Sequence, residues 1–180
     1  MRTARLELRL WNDGDVQAFH RIWGDPDVVF WGPAKDVGES MAMLARVRAR
    51  CAGWPAPVGW QAVFDAESGD AIGNVVLQPA PFSPGDLEVG WHLRRDRWGH
   101  GDATEAAHAL MEQAFASNPI ARLVCAILPS NERSRCVARR LGFVVVAGDV
   151  LHGGRLHDVW SVGRGEFRPI DARRAGRKEA

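Results

Sequence analysis

Arg97-Trp98-Gly99-His100-Gly101-Asp102-Ala103-Thr104-Glu105 stands between an apolar stretch that ends at Leu93 and a segment rich in alanine. Gly99 and Gly101 lack Cβ atoms, so the chain can take positive φ there and let a ligand approach the main chain closely. Successive N–H groups can then converge on one phosphate, and a helix starting near Ala103 adds unpaired amides and the positive end of its dipole. A diphosphate is the ligand this pattern favours, without a lysine, although a plain surface turn would use the same glycines. A dinucleotide fingerprint needs a third glycine where Thr104 stands and an acid about 20 positions later. Ile120 to Ile127 contains no acid. A Walker loop needs Gly-Lys-Ser/Thr, and Ala103-Thr104-Glu105 has neither the lysine nor the spacing.

Outward from this loop the periods alternate between strand and helix. Leu6, Leu8 and Leu10 alternate with polar residues and predict a strand with one buried face. Asp13 or Asp15 is expected to cap a helix presenting Val16, Phe19 and Trp23. Met41, Leu44, Ala45 and Arg48 follow helical spacing in a second amphipathic segment. Trp60, Ala62 and Phe64, a turn at Ser68-Gly69-Asp70, and Ile72 to Leu77 predict a hairpin. Leu87 to Leu93 is the next strand. Its period of two places Glu88, Gly90 and His92 on one face and Val89, Trp91 and Leu93 on the other. Ala103, Ala106, Ala107, Leu110, Met111, Ala114 and Phe115 form a clean helical stripe that should pack on the sheet. Val124 to Leu128 reads as a buried strand, Asn131 as a helix cap and Gly142 as a left-handed helix end. The succession predicts an α/β chain, a mixed sheet flanked by helices.

The 180 residues suit one domain, and 46% hydrophobic content suffices for a substantial core. With 23 basic residues against 22 acidic ones, the charge gives no field for nucleic acid or membrane partners. Cys51, Cys125 and Cys136 are too few and scattered for a disulfide framework or Cys-x-x-Cys metal site. A cytoplasmic location, with no bound metal, is the expectation. His152 and His157 with Asp158 flank a turn at Gly153-Gly154, and no second cluster completes a coordination set. Eight tryptophans are many for this length, and core packing is their ordinary use. From Gly165 onward the chain is polar and without period; residues 166–180 are expected to form a flexible tail beyond one domain spanning 1–165.

Trp98-Gly99-His100-Gly101-Asp102-Ala103, followed by Thr104-Glu105-Ala106, resembles the acetyl-CoA pyrophosphate loop of the GNAT N-acetyltransferases, in the branch of ribosomal-protein N-terminal acetyltransferases. Most of that superfamily has Arg or Gln at the position of Trp98. Pro129-Ser130-Asn131-Glu132-Arg133-Ser134 and Leu141-Gly142-Phe143 match two further elements at the family's spacing, and Thr3 to Arg9 and Asp25-Pro26-Asp27-Val28 are similar too. The resemblance implies a mostly antiparallel central sheet with a splay between its two central strands. It implies acetyl-CoA as cosubstrate, held by Leu93, Trp98, Gly99, His100, Gly101, Asp102, Ala103, Thr104, Asn131 and Ser134. His100 would contribute only its backbone amide.

Acetyl transfer requires a neutral amine, donors for the oxyanion and a way for the thiolate to leave. Glu88 is the expected base, with Gly90 leaving room beside it; the alternatives are a solvated strand carboxylate, or one paired with Arg94 or Arg95. His92 could share a relay water with it, or be an ordinary hydrogen-bonded histidine. Leu93 or its neighbour would lend a backbone N–H to the thioester oxygen. The family's usual tyrosine acid falls where Ala138 stands, and the chain has no tyrosine. The resemblance puts Ser134 in its place, and a thiol with pKa near ~8.5 leaves tolerably as thiolate. Trp31, at the start of the family's acceptor-side loop, is a candidate wall for the amine pocket. An α-amine costs about 2.5 fewer pK units to deprotonate than a lysine, on the order of 3 kcal/mol. The expected acceptor is therefore a protein N-terminus or an amino-acid-like small molecule, bound by a monomer or homodimer. A non-catalytic acyl-CoA sensor or partner subunit is the competing reading.

Overall fold

A computed structural model describes residues 1–168. Seven strands form one sheet in the order β1-β2-β3-β4-β5-β7-β6: β1 Leu6–Leu10, β2 Gly59–Asp65, β3 Ala71–Pro79, β4 Leu87–Leu93, β5 Arg122–Ile127, β6 Val144–His152 and β7 Arg155–Gly163. Helices α1 Val16–Trp23 and α2 Val37–Cys51 precede β2; α3 Asp102–Ser117 joins β4 to β5, and α4 Glu132–Arg140 follows β5. All neighbouring strands are antiparallel except β4 and β5, whose connection through α3 makes them parallel. The expected mixed sheet with flanking helices is therefore present. No helix among the described residues is long and apolar enough to cross a membrane.

The helices divide between the two faces. On one, Ala106, Ala107, Leu110, Met111, Ala114 and Phe115 of α3 meet Val75, Leu77, Val89, Leu93 and Leu123. On the other, Phe19, Ile22 and Trp23 of α1 and Leu44 of α2 pack with Trp11, Val28 and Val29 against Ala62 and Ala71. Small side chains in α3 let the helix lie close to the sheet, which is why its stripe was legible as alternating alanines.

Four local expectations are corrected. Asn12 Oδ1 accepts from Gly14 N–H at 2.8 Å and caps the 3-10 turn 13–15, while Asp15 holds the N-cap position of α1 without a side-chain cap bond, its carboxylate being occupied by Arg9 at 2.7 and 2.8 Å. The inner face of α2 is Ser40, Leu44 and Val47, while Met41 is 56% exposed. Leu10, at the end of β1, is exposed as well. The packed body also extends past Gly165, because Phe167 stacks on His108 with ring centroids 4.8 Å apart and also meets Phe115. The expected tail from 169 onward lies outside the described residues.

The sheet opens between β4 and β5. They pair only at Leu87–Leu123 and Glu88–Val124, although both strands continue beyond. Arg94 N–H donates to the Ile72 carbonyl at 2.9 Å, so Leu93 and Gly73 form a pair without mutual hydrogen bonds. By that alternation Trp91 and Leu93 turn their amides and carbonyls away from β3 and into the opening.

Candidate active site

The loop after β4 delivers the cradle. Gly99 and Gly101 adopt φ of +79° and +80°, and α3 begins at Asp102. Gly101 occupies the cap position and has no side chain to satisfy the first-turn amides, which are left free for a ligand. Thr104 Oγ1, buried in the same turn, has no partner either. An anion with several acceptor oxygens fits such an unsatisfied set.

What holds the cradle lies behind it. Asp102 is fully buried, its carboxylate 2.9 Å from Arg97 Nε and 3.0 Å from an Arg5 guanidinium nitrogen. Arg5 also donates to the His100 carbonyl at 3.2 Å and to Glu105 Oε2 at 2.8 Å, and Thr3 Oγ1 donates to Glu105 Oε1 at 2.5 Å. Arg97 reaches on to Asp65 at 2.8 Å. The Asp65 carboxyl is held down to about 2 by the Ser68 backbone N–H and then by Arg97. The residues just before β1 and the end of β2 thus brace the loop.

α4 supplies the second wall. Asn131 Oδ1 accepts from Ser134 N–H at 3.1 Å, so the expected cap is present. Arg133 lies over the Trp98 ring, 4.6 Å from its centroid, and Trp98 Nε1 donates to the Leu93 carbonyl at 2.9 Å. With its carbonyl so engaged, Leu93 presents its amide as the free group at the opening.

A cleft of about 400 Å³ brings these parts together, lined by Trp31, His92, Leu93, Trp98, Gly99, Gly101, Asp102, Ala103, Thr104, Asn131 and Ser134. Val28 and Phe30 extend it toward α1, and Trp91, Cys136, Val137 and Arg140 toward α4. Two expected residues stand apart. The His100 side chain is exposed and outside the lining, its loop role confined to the main chain.

Glu88 is the other. It occupies the same strand face as His92 but four residues back, about 13 Å along the strand. Arg94 and Arg95 do not pair with it; they bind Asp96 and Asp27. Gln78 Nε2 donates to Glu88 Oε2 at 3.0 Å, and Gln78 Oε1 accepts from Trp60 Nε1 at 3.0 Å and Arg50 at 2.9 Å. Burial pushes the Glu88 carboxyl above its ordinary value, against the Gln78 bond. Between Glu88 and His92, Gly90 leaves a gap whose nearest neighbour to an added Cβ is Val76 at 3.7 Å.

His92 is enclosed by tryptophans, with centroids 4.8 Å to Trp23, 5.4 Å to Trp31 and 6.4 Å to Trp60. Burial lowers its pKa to about 4, which keeps the ring neutral at neutral pH. Its Nδ1 is shut in without a partner, which leaves Nε2 as the nitrogen a ligand can meet. Among the described residues no group of three or more His, Cys, Asp or Glu is arranged to hold a metal. Sequence reasoning missed Gln78 and Asp65, which come from distant segments, and the pairing of Arg97, which lies in the loop motif itself. Arg5 and Glu105 lay within the quoted motifs but carried no pairing signal.

A seven-stranded sheet split between parallel β4 and β5, with a phosphate-type cradle at the head of α3, defines an acyl-CoA-dependent transferase. Residues 5–144 match the family model described as "Acetyltransferase (GNAT) domain", and the chain belongs to the GNAT acetyltransferase family, which uses acetyl-CoA. A Bacillus licheniformis protein called "Uncharacterized N-acetyltransferase p20" is 26% identical over 144 residues, covering 78% of this chain and 80% of that one. The acetyltransferase of Agrobacterium tumefaciens superposes with a TM-score of 0.76 at 27% identity, over 91% of this chain and 94% of that one. A ribosomal L7/L12 α-N-protein acetyltransferase in complex with coenzyme A shares the fold, with a TM-score of 0.71 at 18% identity over 89% and 95% of the two chains.

Proposed function

We propose that this chain transfers an acetyl group from acetyl-CoA directly to a primary amine, both substrates being bound at once. The observation that carries the reading is the convergence, in one cleft, of the free first-turn amides of α3 and the unpaired β4 edge at Leu93. Backbone amides of residues 99–104 and the Thr104 hydroxyl take the diphosphate, and the pantetheine lies in the opening beside Leu93 and Asn131. A neutral amine at the His92 and Trp31 end attacks the thioester carbonyl; the N–C bond forms as the C–S bond breaks.

Leu93 N–H stabilises the oxyanion, a role for which a fixed donor in a water-poor cleft is well suited. Glu88 accepts the amine proton through water lying over Gly90, and its raised pKa brings it nearer the working pH of a general base. Ser134 donates a hydrogen bond to the departing sulfur, which can leave as thiolate because a thiol ionises near ~8.5. The acceptor is an α-amine, of a protein N-terminus or an amino-acid-like molecule, since it is the easier amine to deprotonate. The similarity to an α-N-protein acetyltransferase supports that choice at the level of fold.

Thiol release from acetyl-CoA, followed over a panel of amines and peptides, tests the reading. Acetyl-dependent release with at least one α-amine is the expected result. Tight acetyl-CoA binding with no turnover on any amine would leave a sensor instead.

A further inference from the structure

The acceptor end of the cleft has an unusual lining. Trp31 and Phe30, from the segment after α1, lie edge to face with centroids 5.3 Å apart and remain 37% and 45% exposed, although both line the cleft. Trp31 packs on Trp23 at 6.3 Å and on the neutral His92 at 5.4 Å, and Trp60 stacks against His92 from the sheet. Four aromatic rings and an imidazole therefore form one contiguous cluster, and Phe30, Trp31 and His92 are its members that line the cleft as an aromatic chamber.

The carboxylates of the cleft are already paired. Asp27 is paired with Arg95, Asp102 with Arg97 and Arg5, and Glu132 with Arg139, so every carboxylate lining the cleft faces an arginine. Nothing at this end is left to pair with a second ammonium group. An acceptor with a second ammonium group or a strongly hydrated neutral side chain would lose water here without replacement. One with a flat apolar group would cover Trp31 and Phe30 and gain offset or edge contacts with them.

We propose that this chamber selects an acceptor whose primary amine lies two or three bonds from an aromatic ring, with Trp31 as the specificity-determining residue. The inference rests on the acetyltransferase reading above and names the substrate class it takes. Free arylalkylamines and polypeptides beginning with an aromatic residue share that chemistry. The same dry surroundings that keep His92 neutral favour the uncharged, nucleophilic form of the amine.

The test compares kcat/KM for tryptamine and 2-phenylethylamine with n-propylamine and ethanolamine, and for short peptides starting with Phe with those starting with Ser. Aromatic acceptors are expected to lead by about tenfold or more. Trp31→Ala should erase that lead by raising KM for the aromatic acceptors while kcat holds, and Trp31→Phe should restore most of it. Equal or better turnover of the polar acceptors, or a lead that survives Trp31→Ala, overturns the proposal. Quenching of tryptophan fluorescence by 2-phenylethylamine, the Phe peptide and the two non-aromatic amines, measured without acetyl-CoA, reads the chamber separately. Aromatic quenching that weakens in Trp31→Ala supports it even if no acetyl transfer occurs, and the absence of quenching by any aromatic amine counts against it. The relative response to phenylethylamine and to the Phe peptide distinguishes a small-molecule acceptor from a polypeptide.

Discussion

His92 makes folding stability depend on pH in a way that can be calculated. Enclosed by Trp23, Trp31 and Trp60, its ring titrates at about 4 in the folded protein against 6.5 when free. The unfolded chain therefore binds the proton more readily between those two values. Stability from the neutral ring is complete above about pH 6.5, is lost as pH falls, and stops falling below about pH 4. Linkage over this pair of values gives a loss of about 2 kcal/mol between pH 7 and pH 5, nearing on the order of 3 kcal/mol at pH 4. Carboxylates add their own acid terms, so the quantity to measure is a difference. In urea denaturation followed by the fluorescence of the eight tryptophans, the native protein should lose about 2 kcal/mol more than His92→Phe between pH 7 and pH 5. Phenylalanine keeps a ring among the tryptophans and removes the titration. Parallel losses in the two proteins would falsify the buried, neutral state of this histidine.

Three further outcomes follow from the site. Gly101→Val places a β-branched residue at φ +80° and fills the cap of α3, so acetyl-CoA binding measured by calorimetry should disappear; an unchanged Kd refutes the cradle. Glu88→Gln should lower kcat by roughly 10²-fold or more with the KM for acetyl-CoA unaltered. The acid limb of the native pH–rate profile, lying above the ordinary carboxylate value because a base must be ionised, should vanish in the variant, and a limb that persists removes Glu88 from the role. Arg5→Ala leaves buried Asp102 with Arg97 alone and frees the His100 carbonyl, at a cost of about 1–3 kcal/mol given the partial exposure of Arg5. Weaker acetyl-CoA binding should accompany it, and unchanged stability and affinity would show that the brace is idle.

Much of the architecture was readable along the chain because local physics wrote it there. The Leu87–Leu93 strand, the alanine stripe of α3, the Asn131 cap and the left-handed Gly142, at φ +85°, depend on neighbours within a few positions. The misread elements had competing local partners. Asp15 stands at the N-cap of α1 but Arg9 claims its carboxylate, and Met41 fits the helical period as well as Ser40 does until α1 shows which side is covered.

Glycine spacing and strand period by themselves determined that a glycine-bearing loop joins a strand to a helix and that Glu88 and His92 share a face, because both are properties of contiguous backbone. Tertiary structure alone decided that Arg5 and Asp65 hold the cradle, that Gln78 fixes the Glu88 carboxylate, and that three tryptophan rings close around His92. Those side chains come from segments up to 100 positions apart, as Arg5 and Glu105 do. Their charges and burial have no value until the sheet has ordered its strands.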